Sequence, residues 1–394
     1  MRTVTLSASW SPREGFSLGK RDVEGVRTYS GSKVWTNLQV NIHDKPVPEP
    51  GDDEVIIKVR ACGICGSDVH MAQPDGEGYS FYPGLTAFPV TLGHEFSGEV
   101  VAAGKRTLNK RTGEPFQTGE AVTAEEMIWC GVCRPCADGF PNHCERLEEL
   151  GFTIDGAMAE YVRVPARQAW SLEGLREHYG KEDLFLIGSL TEPFSVSYNA
   201  LFVRGGGLRP GENAVVFGGG PIGLAGIVLL RRAGAARVIL VEPAPARAEL
   251  ARRLGADHVV DPLKENAVEA ILELTGGEGA KIYYEAAGAP TETFPVIQRC
   301  IWEGKALNSV LVQVGRADIE APFVGEVFQV RRASLVGSQG HSGHGIFPSV
   351  LTVLAASPQV LEIITARISI EEAPEYLQAL RADKGQGKVT LVKF

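Results

Sequence analysis

The stretch from Asn213 to Pro243 constrains the fold of this chain more than any other part of the sequence. It reads NAVVFGGGPIGLAGIVLLRRAGAARVILVEP, which is an apolar run, a glycine-rich turn, a helical stretch and a second apolar run. This order predicts a βαβ unit. Further β-rich runs follow at 258–260, 281–285 and 308–314, each preceded by a stretch that can be helical. The sequence therefore predicts an α/β fold with a doubly wound parallel sheet of the Rossmann type.

The glycine-rich turn predicts a site for a dinucleotide. Gly218, Gly220 and Gly223 follow the spacing GxGxxG between the expected strand and helix. Such glycines let backbone N–H groups at a helix N-terminus approach a pyrophosphate. Glu242 lies nineteen residues beyond Gly223, where a carboxylate accepts hydrogen bonds from the adenosine ribose and repels a 2′-phosphate, so NAD is favoured over NADP. Arg247 either modifies this selection or is an ordinary surface arginine. The expected coenzyme-binding residues are Gly218, Gly220, Pro221, Ile222, Gly223, Glu242 and Arg247.

Four closely spaced cysteines predict a closed metal site. They lie in CGVCRPCADGFPNHC at Cys130, Cys133, Cys136 and Cys144. Two CxxC steps and a return after seven residues let one loop fold around a tetrahedral Zn²⁺. All four coordination positions are then used, so the site is structural. An iron–sulfur site is the alternative, although the last interval is wrong for the usual bacterial ferredoxin run.

A second group of residues has the mixed chemistry of a catalytic zinc site. Cys65 lies in CGICGSDVH, and His94 and Glu95 follow in GHEFSGEV. Catalytic zinc usually takes three protein ligands of Cys, His or carboxylate type and leaves one position open. Cys65, His94 and one acid meet this requirement. The acid is either Glu95 or Glu192 of TEPFSVSYNA, because the strand neighbour of a ligand often points the other way. Without metal, His94 and Glu95 would be a hydrogen-bonded core pair.

Composition bounds the partners and the compartment. The chain has 394 residues and a net charge of −9, with Lys and Arg scattered along it, so neither nucleic acid nor a membrane surface is expected as a partner. The N-terminus lacks the long apolar core of a signal peptide, and no run could cross a bilayer. Six of the seven cysteines fall into the two clusters, which favours metal over disulfides and a cytosolic location. We expect the seventh, Cys300, to be buried.

These motifs resemble the zinc-dependent medium-chain alcohol and polyol dehydrogenases over nearly the whole chain, from Val55 to Phe394. The resemblance implies a GroES-like β-rich catalytic domain at 1–199, with a structural zinc lobe at about 125–150. It further implies a Rossmann NAD-binding domain at 200–338 and a return to the catalytic domain at 339–394. Each subunit would hold one catalytic zinc, one structural zinc and NAD.

The resemblance also assigns roles to residues around the catalytic zinc. Ser67 sits where the family places the hydroxyl that accepts the substrate proton, and His70 where a relay residue passes that proton to solvent. The catalytic-zinc ligands would come from Cys65, His94, Glu95 and Glu192, and the structural-zinc ligands would be Cys130, Cys133, Cys136 and Cys144.

Within the family, GICGSDVH, GHEFSG and TEPFSVSYNA are similar to the sorbitol and threonine dehydrogenase branch, whose substrates are polar. This similarity implies hydride transfer between NAD and a secondary alcohol of a polyol or cyclitol, in a homodimer or homotetramer. Two rivals are a quinone or enoyl reductase on the same fold, which would lack the catalytic thiol and histidine, and a zinc protein that senses NAD without turnover.

Three parts of the sequence have no settled role. The chain departs from shorter family members in an insertion at Ser11–Val34 and in a longer segment, AQPDGEGYSFYPGLTAFPV, before His94. Both could shape the substrate cleft. In a later glycine-rich loop, His341 and His344 either contact nicotinamide or substrate or make only local hydrogen bonds.

Overall fold

The computed structural model describes residues 1–341, 343, 345–382 and 387–394, and the chain divides into two units. The first unit runs from Met1 to Glu192 and takes up 364–382 and 388–394. The second runs from Pro193 to Ile363. These divisions differ from the boundaries expected after residues 199 and 338, and the expected domain boundaries stay a prediction.

Strands and helices follow one another along both units. The strands are β1 (Arg2–Trp10), β2 (Trp35–Asp44), β3 (Glu54–Gly63), β4 (Val90–Thr91), β5 (Glu95–Ala103), β6 (Ala121–Ala124), β7 (Met127–Ile128), β8 (Glu148–Glu149), β9 (Tyr161–Pro165), β10 (Ala169–Ser171), β11 (Asn213–Phe217), β12 (Arg237–Val241), β13 (His258–Val260), β14 (Ile282–Glu285), β15 (Val310–Gln313), β16 (Ser334–Gly337), β17 (Ile364–Ser369) and β18 (Lys388–Lys393). The α-helices are α1 (Gly66–Ala72), α2 (Arg134–Ala137), α3 (Lys181–Ser189), α4 (Thr191–Tyr198), α5 (Pro221–Arg232), α6 (Pro245–Leu254), α7 (Ala267–Leu274), α8 (Pro290–Glu303), α9 (Gly325–Val330), α10 (Ile346–Ala355) and α11 (Ala373–Ala379). Among the helices described, we find none with the length and apolarity that a membrane crossing requires.

The main sheet of the first unit has the strand order β10-β6-β5-β3-β18-β17, and β9 also pairs with β3. Strand β3 is central because its sequence EVIIKVRACG buries most of its side chains. The last strand, β18, runs antiparallel to β3 with Leu391 opposite Cys62. This pairing brings Lys388, at the start of β18, into the sheet that carries Glu95.

A second sheet in this unit has the order β2-β1-β4. In it, Thr5 and Leu6 of β1 pair with Thr91 and Val90 of β4. Strand β4 ends just before His94, so the N-terminal strand fixes the backbone that leads to this histidine.

The sheet of the second unit is parallel, with the order β13-β12-β11-β14-β15-β16. The chain enters at β11, winds outward to β13, and returns to the other side of β11 at β14. Ligands of such sheets bind at the carboxyl ends of the strands, where the strand order reverses. The predicted α/β fold class, with a β-rich first unit and a Rossmann-type parallel sheet in the second, is confirmed.

Candidate active site

The four cysteines that follow β7 converge on one point. Their Sγ atoms all lie within 4.8 Å of one another. Cys133 Sγ is 3.4 Å from Cys136 Sγ and 3.8 Å from Cys144 Sγ. Four sulfur atoms bound tetrahedrally at ~2.3 Å to Zn²⁺ are about 3.8 Å apart. The spacing of the lobe therefore fits this ion.

Backbone N–H groups prepare part of the lobe for a cation. The N–H of Val132 donates to Cys130 Sγ at 3.5 Å, and that of Glu145 donates to Cys133 Sγ at 3.5 Å. These donors lower the pKa of Cys130 to about 6 and also lower the pKa of Cys133. Burial instead raises the pKa of Cys136 to about 12. Two thiolates are thus stabilised by the loop itself, and the others need a bound cation.

Cys65 is the N-cap residue of α1, and the side chain of Asp68 in the first turn of the helix binds its backbone. Asp68 Oδ2 accepts a hydrogen bond from the N–H of Cys65 at 2.9 Å, and Asp68 Oδ1 accepts one from the N–H of Gly93 at 3.3 Å. Asp68 Oδ1 also lies 3.7 Å from His94 Nδ1. One buried carboxylate therefore links the helix that carries Cys65 to the turn that carries His94.

His94 and Glu95 both turn toward Cys65. The thiol, one imidazole nitrogen and one carboxylate oxygen lie within 4.8 Å of one another. Strand alternation does not separate the two neighbours, because β5 begins at Glu95 and His94 belongs to the preceding turn. There Gly93 has a φ of +91°. The strand argument for turning to Glu192 therefore does not apply to this pair.

The carboxylate of Glu95 is also held by Lys388. The Lys388 Nζ atom is 2.7 Å from Oε1 and 2.6 Å from Oε2 of Glu95, and it donates to the carbonyl of Ile64 at 3.2 Å. Lys388 is only 2% exposed. Burial alone would lower the pKa of Lys388, but the negative charges of Glu95 and then Cys65 outweigh it, so the pKa is raised. Glu95 is thus a charge-compensated buried acid.

The region around Cys65 carries more acids than Lys388 can neutralise. The pKa of Cys65 is raised well above its usual value, first by burial and then by the charge of Glu95. The pKa of Glu192, which lies in α4 outside the group formed by Cys65, His94 and Glu95, is also raised, first by burial and then by Glu126. A divalent cation reverses such shifts. The donor set and its excess of buried acids both fit Zn²⁺.

Ser67 and His70 lie on the same helix as Cys65. Ser67 Oγ is 3.4 Å from His94 Nε2, so its hydroxyl reaches the group formed by Cys65, His94 and Glu95. His70 is exposed one helical turn further along α1, and residues three apart share a helix face.

The glycine turn in the second unit shows a different constraint at each glycine. Gly218 has a φ of +95°, and a Cβ at Gly223 would lie 1.8 Å from the carbonyl oxygen of Gly218. Gly220 caps α5, and a Cβ there would meet nothing within 4 Å. Pro221 is the first residue of α5, and Ile222 accepts a hydrogen bond from Ser197 Oγ at 2.9 Å. The open side of Gly220 leaves room for a pyrophosphate at the helix N-terminus.

Glu242 lies directly beside this turn. Phe217 pairs with Val241 in the sheet, so Gly218 and Glu242 follow at the ends of neighbouring strands. Glu242 Oε2 accepts from the N–H of Gly219 at 2.6 Å, and Oε1 accepts from the N–H of Ala244 at 2.8 Å. A Cβ at Gly219 would lie 3.1 Å from both Glu242 Oε2 and the Cβ of Arg247. The acid and the arginine therefore both border the turn.

Comparison with known proteins decides the family. Two sequence models of protein families match, the alcohol dehydrogenase GroES-like domain over residues 51–174 and zinc-binding dehydrogenase over residues 221–356. The scyllo-inosose 3-dehydrogenase of Thermotoga maritima is 58% identical over 395 residues, and the match covers 100% of both proteins. The chain belongs to the zinc-binding dehydrogenase family.

Further relatives and solved structures cover a range of similarity to this chain. The L-threonine 3-dehydrogenase of Bacillus licheniformis is 32% identical over 354 residues, covering 88% of this chain and 93% of that protein. A solved candidate alcohol dehydrogenase from Thermotoga maritima has a TM-score of 0.97 at 57% identity, with 100% of both chains covered. A solved candidate zinc-binding dehydrogenase from Sinorhizobium meliloti, bound to NADP, has a TM-score of 0.76 at 29% identity and covers 93% of this chain and 98% of its own. The predicted family is confirmed.

Three residues near the site of this dehydrogenase were not predicted from the sequence. Asp68 follows Cys65 by three residues, which is the spacing of a helix capping box, and this signal could have found it. Lys388 is separated from Glu95 by 293 residues, and Phe152 packs its ring 4.7 Å from that of His94. Neither carries a local sequence signal, because only the strand pairing and the loop path place them.

The remaining sequence expectations fall outside this group. Cys300 is fully buried, as expected. His341 is buried in the second unit with its ring 4.9 Å from that of Phe347. His344 lies outside the described residues.

Proposed function

We propose that this dehydrogenase transfers hydride between NAD and a secondary alcohol of a cyclitol, with scyllo-inosose as the substrate. The observation that carries the chemistry is the buried group of Cys65, His94 and Glu95, with ligand-type atoms within 4.8 Å. The substrate rests on the full-length similarity to the Thermotoga scyllo-inosose 3-dehydrogenase. The stretches ACGICGSDVHMAQ and GEVFQVRRASLVGSQGHSGHG already resemble that enzyme in sequence.

The proposed ligands of the catalytic zinc are Cys65, His94 and Glu95. Zn²⁺ bound there supplies Lewis acidity, which lowers the pKa of a hydroxyl group in contact with it. Lys388 holds Glu95 in place, and Asp68 orients His94 through the Nδ1 side of its ring. Glu192 is the alternative carboxylate ligand, and its raised pKa favours a protonated side chain until a cation is bound.

The proton and the hydride leave the substrate by different routes. Ser67 Oγ takes the hydroxyl proton, and the exposed imidazole of His70 releases it to water. The carbon of the same alcohol gives hydride to the nicotinamide, so that the products are a ketone, NADH and a proton. The four-cysteine lobe holds the structural zinc and takes no part in these steps.

Glu242 supports NAD as the preferred coenzyme. Its carboxylate is fixed beside the glycine turn by two backbone N–H groups. A 2′-phosphate on the adenosine ribose would face this negative charge. Arg247 borders the same turn, and the relative from Sinorhizobium meliloti binds NADP, so the selection rests on the carboxylate outweighing the arginine.

A substrate panel tests the proposed function. Nicotinamide absorbance is followed with NAD and with NADP against sorbitol, L-threonine, myo-inositol and its keto derivatives. We expect turnover with scyllo-inosose and NAD. Turnover confined to L-threonine would contradict the cyclitol and favour the activity that the 32% identical relative is named for. Tight NAD binding without turnover on any substrate would instead indicate a protein that senses NAD.

We also propose a homodimer formed through the edge of the parallel sheet, with a homotetramer as the larger alternative. Strand β16 is the last strand of that sheet, and Leu335 on it is 39% exposed. Phe323 and Val330, in the segment leading to it, are 56% and 54% exposed. Pairing with a second copy would satisfy this edge and cover these side chains. Light scattering of Leu335→Lys should show a smaller assembly than that of the unchanged chain.

We infer a cytosolic location because all seven cysteines are free thiols.

A further inference from the structure

The insertion at Ser11–Val34 contacts the first unit at separate places, one of which is the ion pair of Arg27 with Glu148 at 2.6 Å. Most of its side chains are exposed, so it has little core of its own. Its backbone pairs Thr28 with Thr86 through two hydrogen bonds of 2.9 Å, and the N–H of Gly31 donates to the carbonyl of Gly84 at 3.1 Å. The insertion therefore lies along the longer segment that precedes His94.

Arg13 makes the main side-chain contact between the insertion and residues 73–82, which we call the aromatic segment. Its guanidinium group pairs with the carboxylates of both Asp75 and Glu77. The same group lies over the ring of Tyr79, with Cζ 4.0 Å from the ring centroid. Its Nε donates to the carbonyl of Ser32 at 3.0 Å. With 22% of its side chain exposed, Arg13 is fixed from several sides.

Asp75 connects the ion pair with Arg13 to the backbone of residues 75–79. Its Oδ1 accepts hydrogen bonds from the N–H groups of Glu77 and Tyr79, each at 2.9 Å, and its own N–H donates to the carbonyl of Tyr79 at 2.7 Å. The pKa of Asp75 is lowered, because these N–H donors and Arg13 outweigh the effect of burial. The carboxylate that Arg13 binds is thus the one that closes the turn from Asp75 to Tyr79.

The aromatic segment is connected to the ring of His94 by packing of aromatic side chains. Ser80 Oγ donates to the carbonyl of Met71 in α1 at 3.2 Å, which ties the segment to the helix that carries Ser67. The ring of Tyr82 lies 5.4 Å from that of Phe152, and the ring of Phe152 lies 4.7 Å from that of His94. Tyr82 and Phe152 are each 6% exposed. Because both rings are buried, neither has free space in which to move independently of the other.

We infer that Arg13 is a positioning residue: it fixes the aromatic segment, whose Tyr82 backs Phe152 against the imidazole of His94. The insertion then acts on the proposed metal ligand through this row of contacts. This inference rests on the proposed role of His94 in holding the catalytic metal. It gives the insertion a role that neither its length nor its composition indicates.

The test compares Arg13→Ala, Arg13→Lys and Glu77→Gln, with Arg21→Ala as a matched control. Arg21 belongs to the same insertion and lies over the ring of Tyr29. Among the described residues it forms no hydrogen bond or ion pair with the aromatic segment. Each protein is loaded with Co²⁺ in place of zinc, and its visible absorption is recorded together with kcat, KM for scyllo-inosose and KM for NAD. A Cys65→Ser variant supplies the absorption of the four-cysteine lobe for subtraction.

We expect Arg13→Ala to shift the cobalt absorption of the catalytic site and to lower kcat/KM for scyllo-inosose about tenfold, since small displacements of reacting groups are costly. KM for NAD should stay within about twofold, because the coenzyme turn lies in the other unit. Arg13→Lys should be intermediate, since an ammonium group cannot bind two carboxylates as a guanidinium does. Of the three test variants, Glu77→Gln should show the smallest change in cobalt absorption and kcat/KM. The control, Arg21→Ala, should match the unchanged chain.

Two results would overturn the inference. The first is an Arg13→Ala protein with unchanged cobalt absorption and unchanged kcat/KM. The second is a loss that Arg21→Ala reproduces in full. If the unchanged chain turned over none of the substrates, the proposed function would fail, and the cobalt absorption of Arg13→Ala would still decide whether Arg13 positions His94.

Discussion

Single residues far apart in the sequence complete the candidate metal site, and Lys388 is the clearest case. It lies on the last strand, yet its ammonium group contacts Glu95 beside Cys65 and His94. The sequence predicted Cys65, His94 and either Glu95 or Glu192 as ligands, because these residue types and the spacing of the first two are characteristic. It could not predict Lys388, because a lysine at the start of an apolar strand carries no signal of its partner. Only the pairing of β18 with β3 supplies it.

Replacing Lys388 should expose its electrostatic role. Lys388→Met leaves the buried carboxylate of Glu95 without its counter-charge, which typically costs about 3–5 kcal/mol. We expect the metal-free protein to lose this much free energy of unfolding in urea, and added Zn²⁺ to restore part of it. Lys393→Met, on the same strand but exposed, is the control. Equal losses in the two variants would contradict the assigned role.

At the scale of strands and turns, some elements could be predicted from the sequence and others could not. Strand β11 matches its predicted run closely, because a strand buried on both faces reads as a continuous apolar stretch. Strand β13 also matches its predicted run, although it is an edge strand that begins at the exposed His258. The sheet of β1, β2 and β4 was not predicted, since its strands are short or partly exposed and its pairing is non-local. The glycine turn shows both kinds of information, with a pattern visible in the sequence and separate roles visible only in space.

The glycine turn gives a matched pair of substitutions. Gly223→Ala places a Cβ 1.8 Å from the carbonyl oxygen of Gly218, so α5 must shift, at a cost of about 1–3 kcal/mol. Gly220→Ala adds a Cβ that meets nothing within 4 Å, so the fold should be kept while the approach of a pyrophosphate is hindered. Thermal unfolding should therefore change in Gly223→Ala, and NADH affinity by fluorescence titration should fall in Gly220→Ala. The opposite pattern would contradict these roles.

Loss of the metal site in the four-cysteine lobe should lower the stability of the protein more than its catalytic rate. Cys133→Ser removes a sulfur that lies near two others, and loss of a structural zinc ligand removes folding free energy. We expect one zinc fewer per subunit, a lower unfolding temperature or a smaller assembly, and a near-normal kcat in the protein that stays folded. Val132→Ser, at a position 75% exposed, is the control. A fall in kcat with unchanged stability and assembly would contradict this division.

At the scale of the whole molecule, the sequence predicted the fold class and family, and the structure adds how distant segments meet in each unit. Among the described residues, two of the clusters of metal-ligating type differ in chemistry, a four-thiol lobe and a mixed thiol, imidazole and carboxylate set. The first leaves no open position and the second does. The insertion at Ser11–Val34 and the segment before His94 could not be assigned from the sequence, because their contacts join residues far apart in the chain, such as Arg27 with Glu148 and Arg13 with Asp75.

We propose that Cys65 and His94 hold a catalytic zinc that is separate from the structural one. The most direct measurement is the zinc content per subunit of Cys65→Ser, taken together with its turnover of scyllo-inosose. We predict two zinc ions in the unchanged chain, one in the variant, a retained fold, and a loss of kcat of about a thousandfold or more, since the metal supplies several kcal/mol of stabilisation to the transition state. A variant that kept both zinc ions and full turnover would contradict the account.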